Sequence, residues 1–167
     1  MRIAVPVEVE AVETRVAATP ETVKKFVGLG AQVVVQSGAG AASGLSDAEY
    51  VAAGASVAAS AAETFADADL VLSVRRPAAA ALAGVKPGCA VVCVADPYGA
   101  HDALAALAGK GVRLFAMELM PRITRAQVMD VLSSQANLAG YRAVVDGAAE
   151  YGRALPMMMT AAGTVPA

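Results

Sequence analysis

Four side chains able to do binding chemistry fall close together in this chain: Arg122, Gln127, Asp130 and Ser133, all inside Met117 to Gln135 (MELMPRITRAQVMDVLSSQ). A guanidinium can hold an anion, a carboxamide both donates and accepts, a carboxylate orients a donor, and a hydroxyl does either. No obvious nucleophile is among them. The set therefore suits holding and orienting a ligand, as in hydride transfer, where a cofactor carries the chemistry and the protein supplies geometry. A capped, solvent-facing loop accounts for the same residues on pattern alone.

Other candidates are weaker. Arg15, in ETRVAATP, could clamp a carboxylate or phosphate with its two-pronged guanidinium, or could be a surface arginine pairing with Glu13 or Glu21. His101 beside Asp102 could be a general base, but no Ser or Cys nucleophile stands in a recognisable motif nearby, and an exposed histidine at a helix start fits as well. The glycine loop Gly38 to Gly44 follows a strand-like run. Its spacing is G-x-G-x-x-x-G, and the next helix begins only at its own cap, Ser46, so a plain loop is expected rather than a dinucleotide fingerprint. Cys89 and Cys93, at i and i+4 of a β-branched run, should share one strand face as buried, reduced thiols. Two thiols and one histidine are too few for a structural zinc site, and no metal is expected.

These residues are positioned by alternating strand-like and helix-like segments. Strands are expected at Arg2 to Pro6, Gln32 to Gln36, Ala55 to Ala58, Asp69 to Val74, Cys89 to Ala95 and Val112 to Phe115. Thr19-Pro20 supplies an N-cap and a first-turn proline for a helix reaching about Leu29. Ser46-x-x-Glu49 and Ser60-x-x-Glu63 match the capping box and start two short helices, and Gly99 to Gly109 gives another. The longest helix runs from about Ser134 to Arg153, with Leu138, Tyr141, Val145, Ala148 and Ala149 forming an apolar stripe. Continuous apolar strands alternating with helices argue for an α/β fold, an open parallel sheet, flavodoxin-like, with helices on both faces. The four polar residues then stand in a strand-to-helix loop, where open α/β sheets gather their ligands.

With 167 residues, one domain with a proper core is the prior. Residues 1–153 form that domain and 154–167, uncharged and bounded by prolines, read as a connector. The chain is 57% hydrophobic but only 4% aromatic, so its core must be built from Val, Leu, Ala and Met. The longest uncharged run, between Lys25 and Asp47, holds five glycines and several polar residues and cannot span a bilayer. The early Glu8 and Glu10 argue against a signal peptide, and a cytoplasmic location is expected. A net charge of −2 disfavours nucleic-acid binding.

Three segments carry a resemblance: RVAATPETVKKFVGLG (Arg15 to Gly30), AMELMPRITRAQVMDVLSSQANLAGYRAVVDGA (Ala116 to Ala148) and PMMMTAAGTVPA (Pro156 to Ala167). Through them the chain resembles the alanine dehydrogenase/transhydrogenase N-terminal family, and within it the N-terminal part of the soluble NAD(H)-binding domain of proton-translocating NAD(P) transhydrogenase alpha subunits. The resemblance implies that Arg122 helps hold the pyrophosphate region of NADH. Asp130 and Ser133 would take its carboxamide, and Gln127 would face the approach of the second nucleotide. Gln127 and Asp130 would thus serve hydride transfer from NADH to NADP, which a separate domain binds, coupled to proton translocation by a membrane domain. It further implies a homodimer, peripheral to the inner membrane through partner subunits, with residues 154–167 leading to a Rossmann NAD-binding half. The chain by itself should then bind NADH weakly and be inactive.

Alanine dehydrogenase is similar in the R-V-A motif, where Arg15 matches its carboxylate-binding arginine. Its catalytic lysine falls on Arg75 and its catalytic histidine at or near Asp96. Substrate protonation needs such groups, whereas exchange between two nicotinamides does not, so the departures favour transhydrogenase. A non-catalytic module that dimerises through the long C-terminal helix is the other reading.

Overall fold

The computed structural model describes residues 1–167. They divide into two compact units, Met1–Met120 and Pro121–Ala167. In the first, the apolar runs form β1 (Arg2–Val5), β2 (Gln32–Gln36), β3 (Ser56–Ala58), β4 (Leu70–Arg75), β5 (Ala90–Val94) and β6 (Arg113–Ala116). Between them lie α1 (Pro20–Gly28), α2 (Asp47–Ala52), α3 (Ala61–Phe65) and α4 (His101–Gly109). All five pairings are parallel, in the order β3-β2-β1-β4-β5-β6. The expected open parallel sheet is thus present. Its six-strand order is one of the two common doubly wound arrangements, the flavodoxin order being the other, and ligands of both gather outside the carboxyl ends of the strands where the order reverses. Here that point lies between β1 and β4.

The alternation of β1 divides the core. Ile3 and Val5 join Val33 and Val35 of β2 on one face, beneath Val23 of α1 and Tyr50 of α2, both fully buried. Ala4 faces the other way, with Val71, Val91 and Cys93, under Phe65 of α3 and Leu107 of α4. No helix joins β4 to β5, and buried Leu82 of that connection fills the gap on this second face. Helices therefore cover both faces, which is why the strands read as unbroken apolar runs.

Local chemistry sets the helix starts. The Thr19 hydroxyl accepts from the Thr22 amide, and Pro20 occupies the first turn of α1. Ser46 and Glu49 form the complete capping box. The second expected box is only half formed: Ser60 accepts from the Glu63 amide, but the Glu63 carboxylate turns to the Ala59 amide at 3.0 Å.

In Pro121–Ala167, a 3-10 helix (Thr124–Met129) precedes α5 (Val131–Glu150). The helix starts three residues before the expected Ser134 because the Asp130 side chain caps it. Beyond residue 153, where a plain connector was expected, β7 (Met158–Thr160) and β8 (Gly163–Val165) pair antiparallel as a hairpin. No helix is long and apolar enough to cross a membrane.

Candidate functional site

The four residues singled out in the sequence all lie in or beside the 3-10 helix and at the start of α5. Arg122, Gln127 and Ser133 are exposed, and Asp130 is half-buried. Asp130 Oδ1 accepts from the amides of Leu132, at 2.9 Å, and Ser133, at 3.0 Å, while Oδ2 accepts from Ser133 Oγ at 2.7 Å. Hydrogen bonds from the Ser133 amide and hydroxyl, from Leu132, and the nearby Arg122 charge hold the Asp130 carboxyl below its ordinary range. Asp130 and Ser133 are therefore one pre-organised pair at the N-terminus of a twenty-residue helix. Each keeps a free acceptor lone pair after these bonds. Arg122 and Gln127 are exposed to solvent. The group contains no nucleophile, and no cluster in the chain could hold a metal ion. What it can do is bind and orient.

Missed by the sequence reading is a second polar cluster, built where β1, β4 and β5 end. The Glu8 carboxylate, just past β1, accepts from the amides of Val74, at 2.6 Å, and Arg75, at 3.0 Å. Glu118 accepts from the amides of Ala95, at 3.0 Å, and Asp96. Arg76 Nη1 donates to the carbonyls of the same two residues, and Asp96 takes a left-handed φ of 45°. The Ala95–Asp96 turn is thus gripped through both its amides and its carbonyls. Burial opposes the charge on Glu118, yet the amides that point at it leave its carboxyl below the usual range.

A small cleft between the ends of β4 and β5 is lined by Glu10, Arg75, Arg76, Val94, Ala95 and Asp96. Arg75 Nε lies 3.4 Å from Glu10. Arg15 meets Glu13 in a two-pronged pair, Nε to Oε1 at 2.7 Å and Nη2 to Oε2 at 2.6 Å, as one of the two open readings foresaw. The alternating V-E-V-E after Pro6 and the Arg-Arg at a strand end were the available signals for this cluster. Neither says that the groups meet.

The remaining candidates fall on the plainer reading. His101 is the exposed first residue of α4. In the glycine loop, Asp47 accepts from Ser37 Oγ at 2.6 Å and from the Gly38 amide at 2.9 Å, so the groups a phosphate would need are already taken. Cys89 and Cys93 are free thiols buried in the same core face. Burial chiefly, with the Glu118 charge, pushes Cys93 up to about 11, which removes it as a nucleophile near neutral pH.

Comparison with known proteins gives one answer over most of the chain. The family model described as "Alanine dehydrogenase/PNT, N-terminal domain" matches residues 4–139. The first of the parts into which Rhodospirillum rubrum divides its NAD(P) transhydrogenase subunit alpha is 50% identical over 171 residues, covering 99% of this chain and 44% of that protein. The crystal structure of transhydrogenase from Sinorhizobium meliloti superposes with a TM-score of 0.92 at 56% identity, over 100% of this chain and 50% of that one. An L-alanine dehydrogenase structure superposes at 0.80 with 27% identity, over 89% and 40%. The chain thus spans half or less of the length of these relatives.

Proposed function

Because the chain belongs to the alanine dehydrogenase/PNT N-terminal domain family, we propose that it acts as the nicotinamide-capping part of an NAD(P) transhydrogenase alpha subunit. The cofactor is NADH, and the hydride acceptor is NADP held by a separate domain. In this reading the chain works with a Rossmann half that holds the ADP portion of NADH. Membrane and NADP-binding subunits couple the transfer to proton movement and keep the assembly at the membrane.

The observation that carries the reading is the Asp130–Ser133 pair. A nicotinamide carboxamide offers two N–H donors and one carbonyl acceptor, and the pair offers free acceptors on Asp130 Oδ2 and Ser133 Oγ within one turn of helix. Arg122 supplies the cation for a pyrophosphate, and Gln127 stands exposed on the same segment to meet a second ring. The nicotinamide, when bound, supplies the hydride. The chain's own residues hold the carboxamide, fix the ring orientation and keep water from the gap between the rings. No proton needs to be moved, so the lack of a general base in the loop is consistent with the reaction.

The test separates a cofactor role from a helix cap. Asparagine caps a helix about as well as aspartate does. In the complete transhydrogenase assembly, Asp130→Asn and Gln127→Asn should keep NADH affinity within a few-fold and lower hydride transfer by roughly a hundredfold, the scale expected when reacting groups are misplaced by about 1 Å. Stopped-flow absorbance with NADH and an oxidised NADP analogue reads the rate. Unchanged turnover in Asp130→Asn would leave Asp130 as a cap alone and sink its assignment.

A further inference from the structure

The cleft at the ends of β4 and β5 has the position of a ligand site but not its electrostatics. Three guanidiniums stand there, Arg15, Arg75 and Arg76, where the order of a doubly wound sheet reverses and ligands normally bind. Each is engaged by the chain itself. Glu13 grips Arg15 through both oxygens, and its side chain is only 9% exposed. Glu10 faces Arg75 across the mouth of the cleft. Arg76 is held by the carbonyls of Ala95 and Asp96. Glu8 takes the amides of Val74 and Arg75, and Glu118 those of Ala95 and Asp96, which are the donors a bound anion would otherwise find.

We propose that Glu10 and Glu13 are specificity-determining residues that fill this cleft with the chain's own carboxylates and so exclude small carboxylic acids from it. Five carboxylates (Glu8, Glu10, Glu13, Asp96 and Glu118) surround the three guanidiniums, so an entering anion meets a surplus of like charge. It must also displace partners tethered a few residues away, which compete at the high effective concentration of an intramolecular group. The Arg15–Glu13 fork already has the bidentate geometry that an arginine offers a free carboxylate, so a ligand would gain no new type of bond by replacing it. The two pairs belong to one electrostatic cluster: Arg75 adds to the lowering of the Glu13 carboxyl, and Glu8 adds to the raising of Arg15.

The experiment needs no nucleotide, so its outcome is independent of the hydride-transfer reading. Acetate is titrated into the 167-residue chain and into Glu10→Gln, Glu13→Gln, the double variant and Glu21→Gln, following backbone amide shifts by NMR. Glu21 pairs with Lys25 on α1 and serves as the control for net charge. The double variant should bind acetate at least about tenfold more tightly than the unmodified chain, with shifts confined to residues near Arg15, Arg75 and Ala95, and Glu21→Gln should match the unmodified chain. If the double variant loses the dispersed spectrum of the folded chain, the singles decide by the same criterion with a few-fold gain. Glu10→Gln is the safest of them, because both partners of its ion pair are well exposed. Equal acetate affinity in the unmodified chain and the folded variants, or an equal gain in Glu21→Gln, overturns the proposal.

Discussion

Glu13 shows how much of this molecule's polar chemistry is internal. Its two oxygens take three hydrogen bonds from Arg15, two from the guanidinium and one from the backbone amide. The side-chain bond from Arg15 is the main cause that sets the Glu13 carboxyl below the ordinary 4.5, with burial working against it. A carboxyl lowered on folding stabilises the folded state in full above its unfolded value, and that contribution fades as pH falls through the folded value. Carboxyl-detected NMR titration should therefore place Glu13 below 4.5, and Arg15→Gln should move it upward. A Glu13 midpoint at or above 4.5 in the unmodified chain would contradict the fork. A second residue-scale prediction concerns Gly40, which has an ordinary negative φ of −90°. A Cβ there would lie 2.8 Å from Leu45 Cβ, from the Leu45 carbonyl and from Tyr50 Cε2. Because one of those atoms is backbone and Tyr50 is fully buried, Gly40→Ala should cost about 1–3 kcal/mol of unfolding free energy in a urea titration, as overpacked sites do. An effect within experimental error would show that the loop yields.

At the scale of elements, the strands and most helix starts were legible because they rest on local rules. QVVVQ is both the expected and the observed β2, and Ser46-x-x-Glu49 gives the expected capped helix. The less legible parts depend on partners distant in sequence. Glu8 meets β4 across 66 residues, and Glu118 meets the end of β5 across 22, so neither contact leaves a trace in spacing. The hairpin of β7 and β8 went unread because MMMTAAGTV lacks the alternation and the two-residue turn signal that mark hairpins. The apolar stripe of α5 is present as a pattern, yet the helix buries none of its residues: Leu138 is 60% and Tyr141 71% exposed. Apolar faces of this size on a helix call for a partner. We assign that face to a second copy of the chain, in keeping with the homodimer proposed for the assembly. Sedimentation equilibrium should show a concentration-dependent dimer, and Leu138→Glu with Tyr141→Glu should shift it to monomer while the helical circular dichroism is unchanged. A monomer at every concentration would refute the assignment.

For the whole molecule, the decisive quantity is how much of a nucleotide this chain can hold. Binding a dinucleotide draws most of its phosphate affinity from backbone amides at a glycine turn that opens a helix. Here the one glycine turn after a strand is closed by Asp47, and the amides at the start of α2 meet Ser46 and Glu49. Arg122, exposed just ahead of the 3-10 helix, remains as the phosphate-binding group of the proposed lid, beside two acceptors for the carboxamide. One surface guanidinium and a few solvent-facing hydrogen bonds do not offset the loss of ligand freedom on binding. Calorimetry with NADH on the 167-residue chain should therefore give a dissociation constant of about 1 mM or weaker, and the same segment joined to a Rossmann half should bind at least about a hundredfold more tightly. In the joined protein Arg122→Ala should weaken binding, because the guanidinium then acts on a pyrophosphate already anchored. Micromolar binding by the 167-residue chain alone would mean that a complete nucleotide site lies within residues 1–167, and the capping role would have to give way to a full binding role.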